Sequence, residues 1–188
     1  MMDINDRIAA RVRQIRAERA LSLEALSESA GVSRSMISLI ERGESSPTAV
    51  VLEKLASGLG VPLASLFDAP AAPADPVSRR KDQVEWRDPA SGYVRRNVSP
   101  AGFPSPLQIV EVVFPAGGRV AYETGPRPGS AHQQIWVLQG ALEVTLDKTR
   151  YELGAGDCLA MVLGQPITFR NRTAKPVRYA VIIDHRPS

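Results

Sequence analysis

Hydrophobic positions recur at helical spacing through the first third of the chain. Ile8, Val12 and Ile15, for example, share one face of the first predicted helix. The predicted helices cover residues 4–19, two short segments between residues 22 and 43, residues 48–60 and residues 62–67. These five helices surround one small core, for which the pattern predicts Leu26, Val32, Ile37, Ile40, Leu52, Leu55, Leu63 and Phe67.

The second and third predicted helices are joined by a tight turn, Gly31-Val32-Ser33. Gly31 suits the left-handed conformation that ends a helix, and Val32 can be buried in the bend. Ser33 can accept a hydrogen bond from a free backbone N–H and so begin the next helix. A turn of this kind fixes a large angle between two helices, as in a helix-turn-helix. The alternative is a helical hairpin that packs only within its own domain.

After residue 82 the apolar residues alternate with polar ones, which is typical of strands. Ten short strand-like segments are separated mostly by Gly, Pro, Asn or Asp, and this spacing favours an antiparallel sandwich or barrel. Between the two patterns, residues 68–81 contain three prolines among small residues and read as a linker. The sequence thus predicts a helical domain over residues 1–68, a linker over 69–82 and a β-domain over 83–188.

Composition and charge exclude only a few classes of protein. The apolar runs are too short to span a membrane, and the acidic start lacks the apolar segment of a signal peptide, so we expect a cytoplasmic protein without membrane contact. A net charge of +3 is mild, and the helical half is near neutral, so bulk charge does not argue for nucleic acid. The single cysteine, Cys158, forms no internal disulfide and is expected to be buried in a strand.

The spacing G-V-S-x-x-x-I-S-x-x-E-x-G, from Gly31 to Gly43, resembles the DNA-binding domain of the lambda-repressor-like (XRE) transcriptional regulators. The resemblance covers roughly residues 6 to 67. It implies that the start of the second motif helix reads base edges, which assigns that role to Arg34, Ser35, Ser38 and Leu39. Ser22 and Ser33, at helix N-termini, are expected to position phosphates, and Arg11, Arg13 and Arg42 to contact the DNA backbone. Glu41 is expected to brace the domain through an arginine of the first helix.

Two later stretches, H-Q-Q-I-W-V-L-Q-G-A-L-E-V and L-G-A-G-D-C-L-A-M-V-L-G-Q-P-I-T-F-R-N, resemble the two motifs of the cupin superfamily of jelly-roll barrels. Metal-binding cupins carry two His and one Glu in the first motif and one His in the second. Here Gln133 replaces the glutamate and Ile167 the second-motif histidine, so we expect no catalytic metal and no cofactor. A shifted site formed by His132 with Glu123 is the alternative, although a polar residue at the barrel mouth is favoured for His132.

A barrel without its metal still offers an interior for a small molecule. The candidate lining residues are Tyr122, His132, Gln133, Ile135, Met161, Ile167 and Phe169, with Ile135 rather than Trp136 pointing inward. A barrel filled by its own side chains is the alternative.

These resemblances imply an α+β protein with a five-helix lambda-repressor-like domain and a C-terminal antiparallel β-barrel of the cupin jelly-roll type. The expected function is transcriptional repression at a palindromic double-stranded DNA operator, by a homodimer whose affinity responds to a small-molecule effector. Two alternatives remain: a metal-dependent cupin enzyme, oxygenase or epoxidase-like, with an accessory helix-turn-helix, and a protein-binding module without DNA affinity.

Overall fold

Polar side chains mark where the helices begin. The computed structural model describes residues 3–67, 75–123 and 132–184, and its α-helices are α1 (Ile4–Glu18), α2 (Leu23–Ala30), α3 (Arg34–Glu41) and α4 (Ala49–Gly58). The side chains of Asp3, Ser22, Ser33 and Thr48 each accept a hydrogen bond from a backbone N–H of the first turn. Gly31 ends α2 at a φ of 61°, as the turn motif predicted.

The short fifth segment that was predicted to be helical forms a 3₁₀ helix, Leu63–Phe67, so the domain has four α-helices rather than five. Five residues are too few for a stable α-helix, and the tighter winding is common in such short pieces. Seven of the eight predicted core residues are buried, but Leu63 is only partly buried. No helix in the described ranges is long and apolar enough to cross a membrane.

Ten strands follow within the described residues, at the ten segments that the alternation indicated. They are β1 (Glu85–Arg87), β2 (Val94–Asn97), β3 (Leu107–Phe114), β4 (Arg119–Tyr122), β5 (His132–Gln139), β6 (Leu142–Leu146), β7 (Thr149–Leu153), β8 (Cys158–Val162), β9 (Ile167–Arg170) and β10 (Val177–Asp184). All the strand pairs are antiparallel.

The strands form two separate sheets rather than a closed barrel. One sheet has the order β1-β2-β3-β10-β5-β8 and the other β4-β9-β6-β7. No strand ladder joins the two sheets in the described parts of the chain, so the predicted closure is not observed. The two sheets instead share a core between their inner faces, as in a sandwich.

Alternation along β5 fixes which residues enter that core. Ile135 is fully buried whereas Trp136 is 48% exposed, as expected from the predicted phase. Cys158 lies opposite Trp136 on the outer face and is exposed, so its predicted burial was wrong. Its strand has the predicted alternation, but the phase places Met161 rather than Cys158 inside.

The helical and β-structured parts are in contact. The buried carboxylate of Asp88, just after β1, accepts a hydrogen bond of 2.9 Å from the backbone N–H of Ala49 in the first turn of α4. The Phe67 ring, at the end of the 3₁₀ helix, lies 5.6 Å from the Trp86 ring between centroids. Of the predicted linker, residues 69–74 lie outside the described residues, and residues 80–82 form a 3₁₀ helix.

Candidate nucleic-acid interface and β-domain interior

Helix α3 has one face in the core and one in solvent. Ile37 and Ile40 are buried, while Arg34 and Ser35 are exposed and Ser38 is partly so. Ser33 accepts a hydrogen bond of 3.3 Å from the backbone N–H of Met36, which holds the exposed start of the helix in place. The polar face can therefore approach a groove without unfolding any part of the core.

The N-termini of α2 and α3 border one open surface hollow. Its lining consists of Ser22, Leu23, Glu24, Arg34, Ser35 and Ser38. Four of these residues were predicted at the DNA interface, and the structure brings them together although residues 22 and 34 lie a whole helix apart. Glu24 was not predicted; its carboxylate lies 3.2 Å from the Arg34 guanidinium, and both side chains are largely exposed.

The C-terminal end of α3 carries a second polar group. Arg42 donates to the Ser38 hydroxyl and forms two hydrogen bonds with the Glu44 carboxylate, of 2.7 and 2.9 Å. These bonds raise the pKa of Arg42 and lower that of Glu44. Leu39, one turn earlier, is partly buried, as Ser38 is.

The arginines of α1 fall into different environments. Arg13 is exposed, whereas Arg11 is partly buried and its Nε donates a 3.1 Å hydrogen bond to the Ser65 carbonyl oxygen. Arg16 donates from Nε and Nη2 to both carboxylate oxygens of Glu41, at 2.7 and 2.8 Å. Glu41 therefore braces α3 against α1, as predicted, and the hydrogen bonds raise the pKa of Arg16.

Most of the predicted pocket residues lie inside the β-domain. Gln133, Ile135, Met161, Ile167 and Phe169 are all buried. They come from both sheets: Gln133 is paired with Met161 in one, and Tyr122 is paired with Ile167 in the other. The two sheets thus bring the predicted lining together, apart from His132.

His132, which was predicted to line the pocket from the barrel mouth, lies on the outer face of β5 and is exposed, so it does not line the interior. Side chains alternate along a strand, and Gln133 takes the inward position. Across the described ranges, no group of three or more His, Cys, Asp or Glu side chains is placed to hold a metal ion. The interior amide of Gln133 and the apolar Ile167 do not suit a catalytic metal centre of the cupin type.

Sequence reasoning missed the polar groups of the interior. Tyr93 and Tyr179 are buried, and the Tyr93 hydroxyl lies 3.2 Å from that of Tyr122. Burial raises the pKa of all three tyrosines, and that of Tyr122 is raised well above its ordinary value. The positive charge of buried Arg95 opposes this rise at each of them.

Arg95 also connects this interior to the helical domain. Its guanidinium carbon lies 5.1 Å from the centre of the Phe67 ring, within cation–π distance. Arg95 is paired with Val112 in the inward-facing row of β2 and β3. The sequence did contain a signal for the inward position of Arg95, because Arg95 follows Tyr93 by two residues and so lies on the same face of the strand. A charged residue usually indicates an outer face, however, and the signal was not used.

Comparisons with known proteins assign a family to each half of the chain. A family model described as Helix-turn-helix matches residues 12–66, and one described as Cupin domain matches residues 110–183. The chain is 30% identical over 182 residues to the HTH-type transcriptional regulator PuuR of Escherichia coli (strain K12), covering 95% of this chain and 94% of that protein. It is 27% identical over 177 residues to the regulator SutR of the same organism, covering 93% of this chain and 92% of that protein.

A crystal structure of an HTH_3 family transcriptional regulator from Vibrio cholerae shares the same architecture. Its TM-score is 0.77 at 25% sequence identity, with 97% of each chain covered. The likeness extends over both domains, and so does that to the two regulators of Escherichia coli. The chain therefore belongs to the family of helix-turn-helix transcriptional regulators, and it is a DNA-binding regulator that carries a cupin domain.

Proposed function

We propose that the protein is a repressor that binds a palindromic operator as a homodimer, with one α3 helix in each half-site. One α3 helix buries too little surface for tight and specific binding, so two half-sites about 34 Å apart are the usual solution. In this proposal a small molecule bound between the two sheets changes the operator affinity. The protein would act on DNA in the cytoplasm.

The observation that carries the DNA proposal is the hollow in front of α3. It combines a guanidinium, three serine hydroxyls and the N-termini of two helices on one exposed surface. Arginine donates twice to guanine O6 and N7, and helix N-termini with serine hydroxyls suit phosphate oxygens. Glu24 holds Arg34 in the absence of DNA, and this exposed ion pair is weak enough to exchange for a base contact.

Substitution of Arg34 tests this assignment. We expect Arg34→Ala to weaken binding to the preferred operator by about 1–3 kcal/mol, about 5- to 150-fold, and to relax the preference at one base pair. The operator is first selected by the full-length protein from random duplex DNA, and affinity is measured by fluorescence anisotropy. Glu28→Gln, an exposed substitution on α2 outside the hollow, is the control. If Arg34→Ala selects an unchanged sequence, α3 does not read bases through this residue.

Polar groups inside an otherwise apolar space support the effector proposal. Three tyrosine side chains and Arg95 project between the sheets, and Arg95 packs on Phe67 at the end of the helical domain. A ligand that displaces this contact would alter how the two domains sit on each other. Coupling between two such sites is typically worth about 1–3 kcal/mol.

A thermal-shift screen of small metabolites identifies ligands, and operator affinity is then measured with and without each one. We expect a ligand that stabilises the protein to change operator affinity about 5- to 150-fold. A ligand whose stabilisation is lost on Tyr179→Phe, but which leaves operator affinity unchanged, contradicts the proposed coupling.

We propose no enzymatic activity, because Gln133 and Ile167 replace the ligands that a metal-dependent cupin needs. Metal analysis of the purified protein tests this proposal. Stoichiometric iron or zinc would favour the enzyme, and loss of that metal on His132→Ala would point to a shifted site.

A further inference from the structure

The hollow in front of α3 carries two opposite charges side by side. Arg34 Nη1 donates a hydrogen bond of 3.2 Å to Oε2 of Glu24. The side chains of Arg34 and Glu24 are 67% and 71% exposed, so both can reach a partner. The other residues that line the hollow are serines and a leucine, so this pair carries the formal charge of the lining.

The carboxylate of Glu24 needs a donor once DNA is bound. DNA carries closely spaced phosphate charges, which repel a carboxylate. When Arg34 turns its donors to guanine, Glu24 also loses a hydrogen bond while the duplex displaces water around it. An ionised carboxylate that loses water without gaining a donor is costly. A base that presents an N–H next to the guanine acceptors would remove this cost.

The major-groove edge of a G·C base pair presents such a donor. Guanine presents the acceptors N7 and O6, and the paired cytosine presents the N4–H donor. The Watson–Crick hydrogen bond that joins N4 to O6 is about 2.9 Å long. This length is close to the 3.2 Å between Arg34 Nη1 and Glu24 Oε2. A guanidinium beside a carboxylate at this distance is therefore complementary to both bases of one G·C pair.

The other bases suit the carboxylate less well. Guanine and thymine present hydrogen-bond acceptors to a side chain in the major groove, and these repel a carboxylate. The adenine amino group is a donor, but the neighbouring N7 of adenine is an acceptor that would also face Glu24. Cytosine presents the N4 donor without an acceptor on this edge, so it is the best partner for Glu24.

We infer that Glu24 is a specificity-determining residue, whose carboxylate accepts a hydrogen bond from N4 of the cytosine paired with the guanine that Arg34 contacts. The inference rests on the proposed function, because it takes Arg34 as the guanine contact. Glu24 also lies in the first turn of α2, where a negative charge stabilises a helix. That effect does not depend on the DNA sequence, so DNA experiments can separate the two roles.

The first experiment modifies a single atom of the operator. The operator is the one selected by the full-length wild type, and the base pair is the one at which Arg34→Ala relaxes the preference. N4-methylcytosine at this pair keeps the Watson–Crick hydrogen bond but replaces the outward N–H by a methyl group. We expect the wild type to bind this operator about tenfold more weakly, because a hydrogen bond to a charged group is lost. Glu24→Ala should bind the methylated and unmodified operators within about threefold of each other, because the coupled acceptor is absent.

The second experiment separates base recognition from a structural role of Glu24. Glu24→Ala should bind the unmodified operator about tenfold more weakly than the wild type, but random duplex DNA at least as tightly, because a negative charge near the phosphates is removed. Glu24→Gln keeps a carbonyl acceptor, so its operator affinity should fall between those of the wild type and Glu24→Ala. Glu28→Gln, exposed on α2 outside the hollow, is the control and should change neither affinity. An equal loss of both affinities in Glu24→Ala overturns the inference.

The outcomes separate this inference from the proposed function. If Arg34→Ala relaxes one base pair, but methylation of its cytosine affects the wild type and Glu24→Ala alike, Glu24 does not contact N4 and the proposed role of Arg34 stands. If Arg34→Ala leaves the selected sequence unchanged, the proposed DNA recognition and this inference both fail.

Discussion

At the scale of single residues, the pair formed by Arg16 and Glu41 joins the first helix to the third. Their side chains are 19% and 7% exposed, so water screens the charges poorly. Loss of one partner leaves a charge in a partly buried position without its counterpart, which is more costly than loss of the whole pair. The position of α3, and with it the candidate DNA surface, depends on this contact.

We expect Glu41→Gln to lower the free energy of unfolding by about 2–3 kcal/mol. Glu44→Gln removes the partner of Arg42 at the surface and should leave the free energy of unfolding almost unchanged, because exposed ion pairs contribute little. Urea unfolding followed by helical circular dichroism measures both. Equal effects of the two substitutions would show that the buried pair has no special role in stability.

Arg11 and Arg13 were predicted to contact phosphate in the same way, but the structure separates them. Arg13 is exposed, whereas Arg11 donates to the Ser65 carbonyl oxygen. We expect Arg13→Ala to weaken binding to all DNA sequences alike, and to reduce the slope of log affinity against log salt by about 0.9. Stability should be unchanged in that variant.

Arg11→Ala, in contrast, should lower the unfolding free energy by about 1 kcal/mol, because it leaves a carbonyl oxygen without its donor. DNA titrations at several salt concentrations and urea unfolding separate the two effects. If Arg11→Ala reduces the salt slope and leaves stability intact, the hydrogen bond to Ser65 is of little importance and the original assignment holds.

Residues whose roles depend on neighbours in sequence were predictable. Gly31 and Ser33 were assigned correctly because a left-handed turn and a helix cap are local properties. Arg95, His132 and Cys158 were not, because the inward phase of a strand is set by pairing with distant strands. A single polar residue inside an apolar row gives no local indication of its direction.

At the scale of elements, α2 and α4 approach each other closely at Gly58. A Cβ atom on Gly58 would lie 2.7 Å from the Cβ of Ala30 and 2.8 Å from the backbone nitrogen of Ala30. Backbone atoms cannot move aside cheaply, so the two helices would have to separate. Ala30 directly precedes the turn into α3, and a shift there would change the geometry of the candidate DNA surface.

We expect Gly58→Ala to destabilise the protein by about 1–3 kcal/mol, as overpacking does. Operator affinity should fall as well, because α2 carries Ser22 and Glu24 at the hollow. Ser57→Ala, at the exposed neighbouring position, should change stability by less than about 0.5 kcal/mol. Thermal unfolding and anisotropy titrations provide both comparisons, and a stable Gly58→Ala variant would show that α2 can shift freely.

The periods of the apolar residues were sufficient to predict the order of the elements. Helical spacing located α1 to α4, and alternation located each of the ten strands in the described residues. Over only five residues, as at Leu63–Phe67, the spacing of apolar residues cannot distinguish an α-helix from a 3₁₀ helix. Alternation is also the same in a barrel and in two facing sheets, so closure could not be predicted.

At the scale of the whole molecule, three of the four tyrosines project into the shared core of the β-domain. Their pKa values are raised by burial, so the folded protein keeps protons that the unfolded chain releases near pH 10. Above that pH the unfolded state binds fewer protons than the folded state. The free energy of unfolding therefore falls as pH rises.

We expect this loss to begin near pH 10 and to approach about 1.4 kcal/mol per pH unit for each buried tyrosine. Urea unfolding between pH 8.5 and pH 11 measures the slope. Tyr179→Phe should reduce the slope, whereas Tyr151→Phe, on an exposed side chain, is the control. If the two variants have the same slope, burial of Tyr179 does not govern the alkaline behaviour.

The bond from Ala49 to Asp88 has a consequence for how such regulators can be recombined. In the first turn of α4, the backbone N–H of Ala49 donates to the buried carboxylate of Asp88, which lies in the other domain. Chimeras that graft this helical domain onto a foreign sensor lose that acceptor unless the new sensor supplies an acidic residue at the same place. Whether the two domains are compatible therefore depends on one side chain, that of Asp88. In a chimera without an acidic residue at this position, we expect the first turn of α4 to fray.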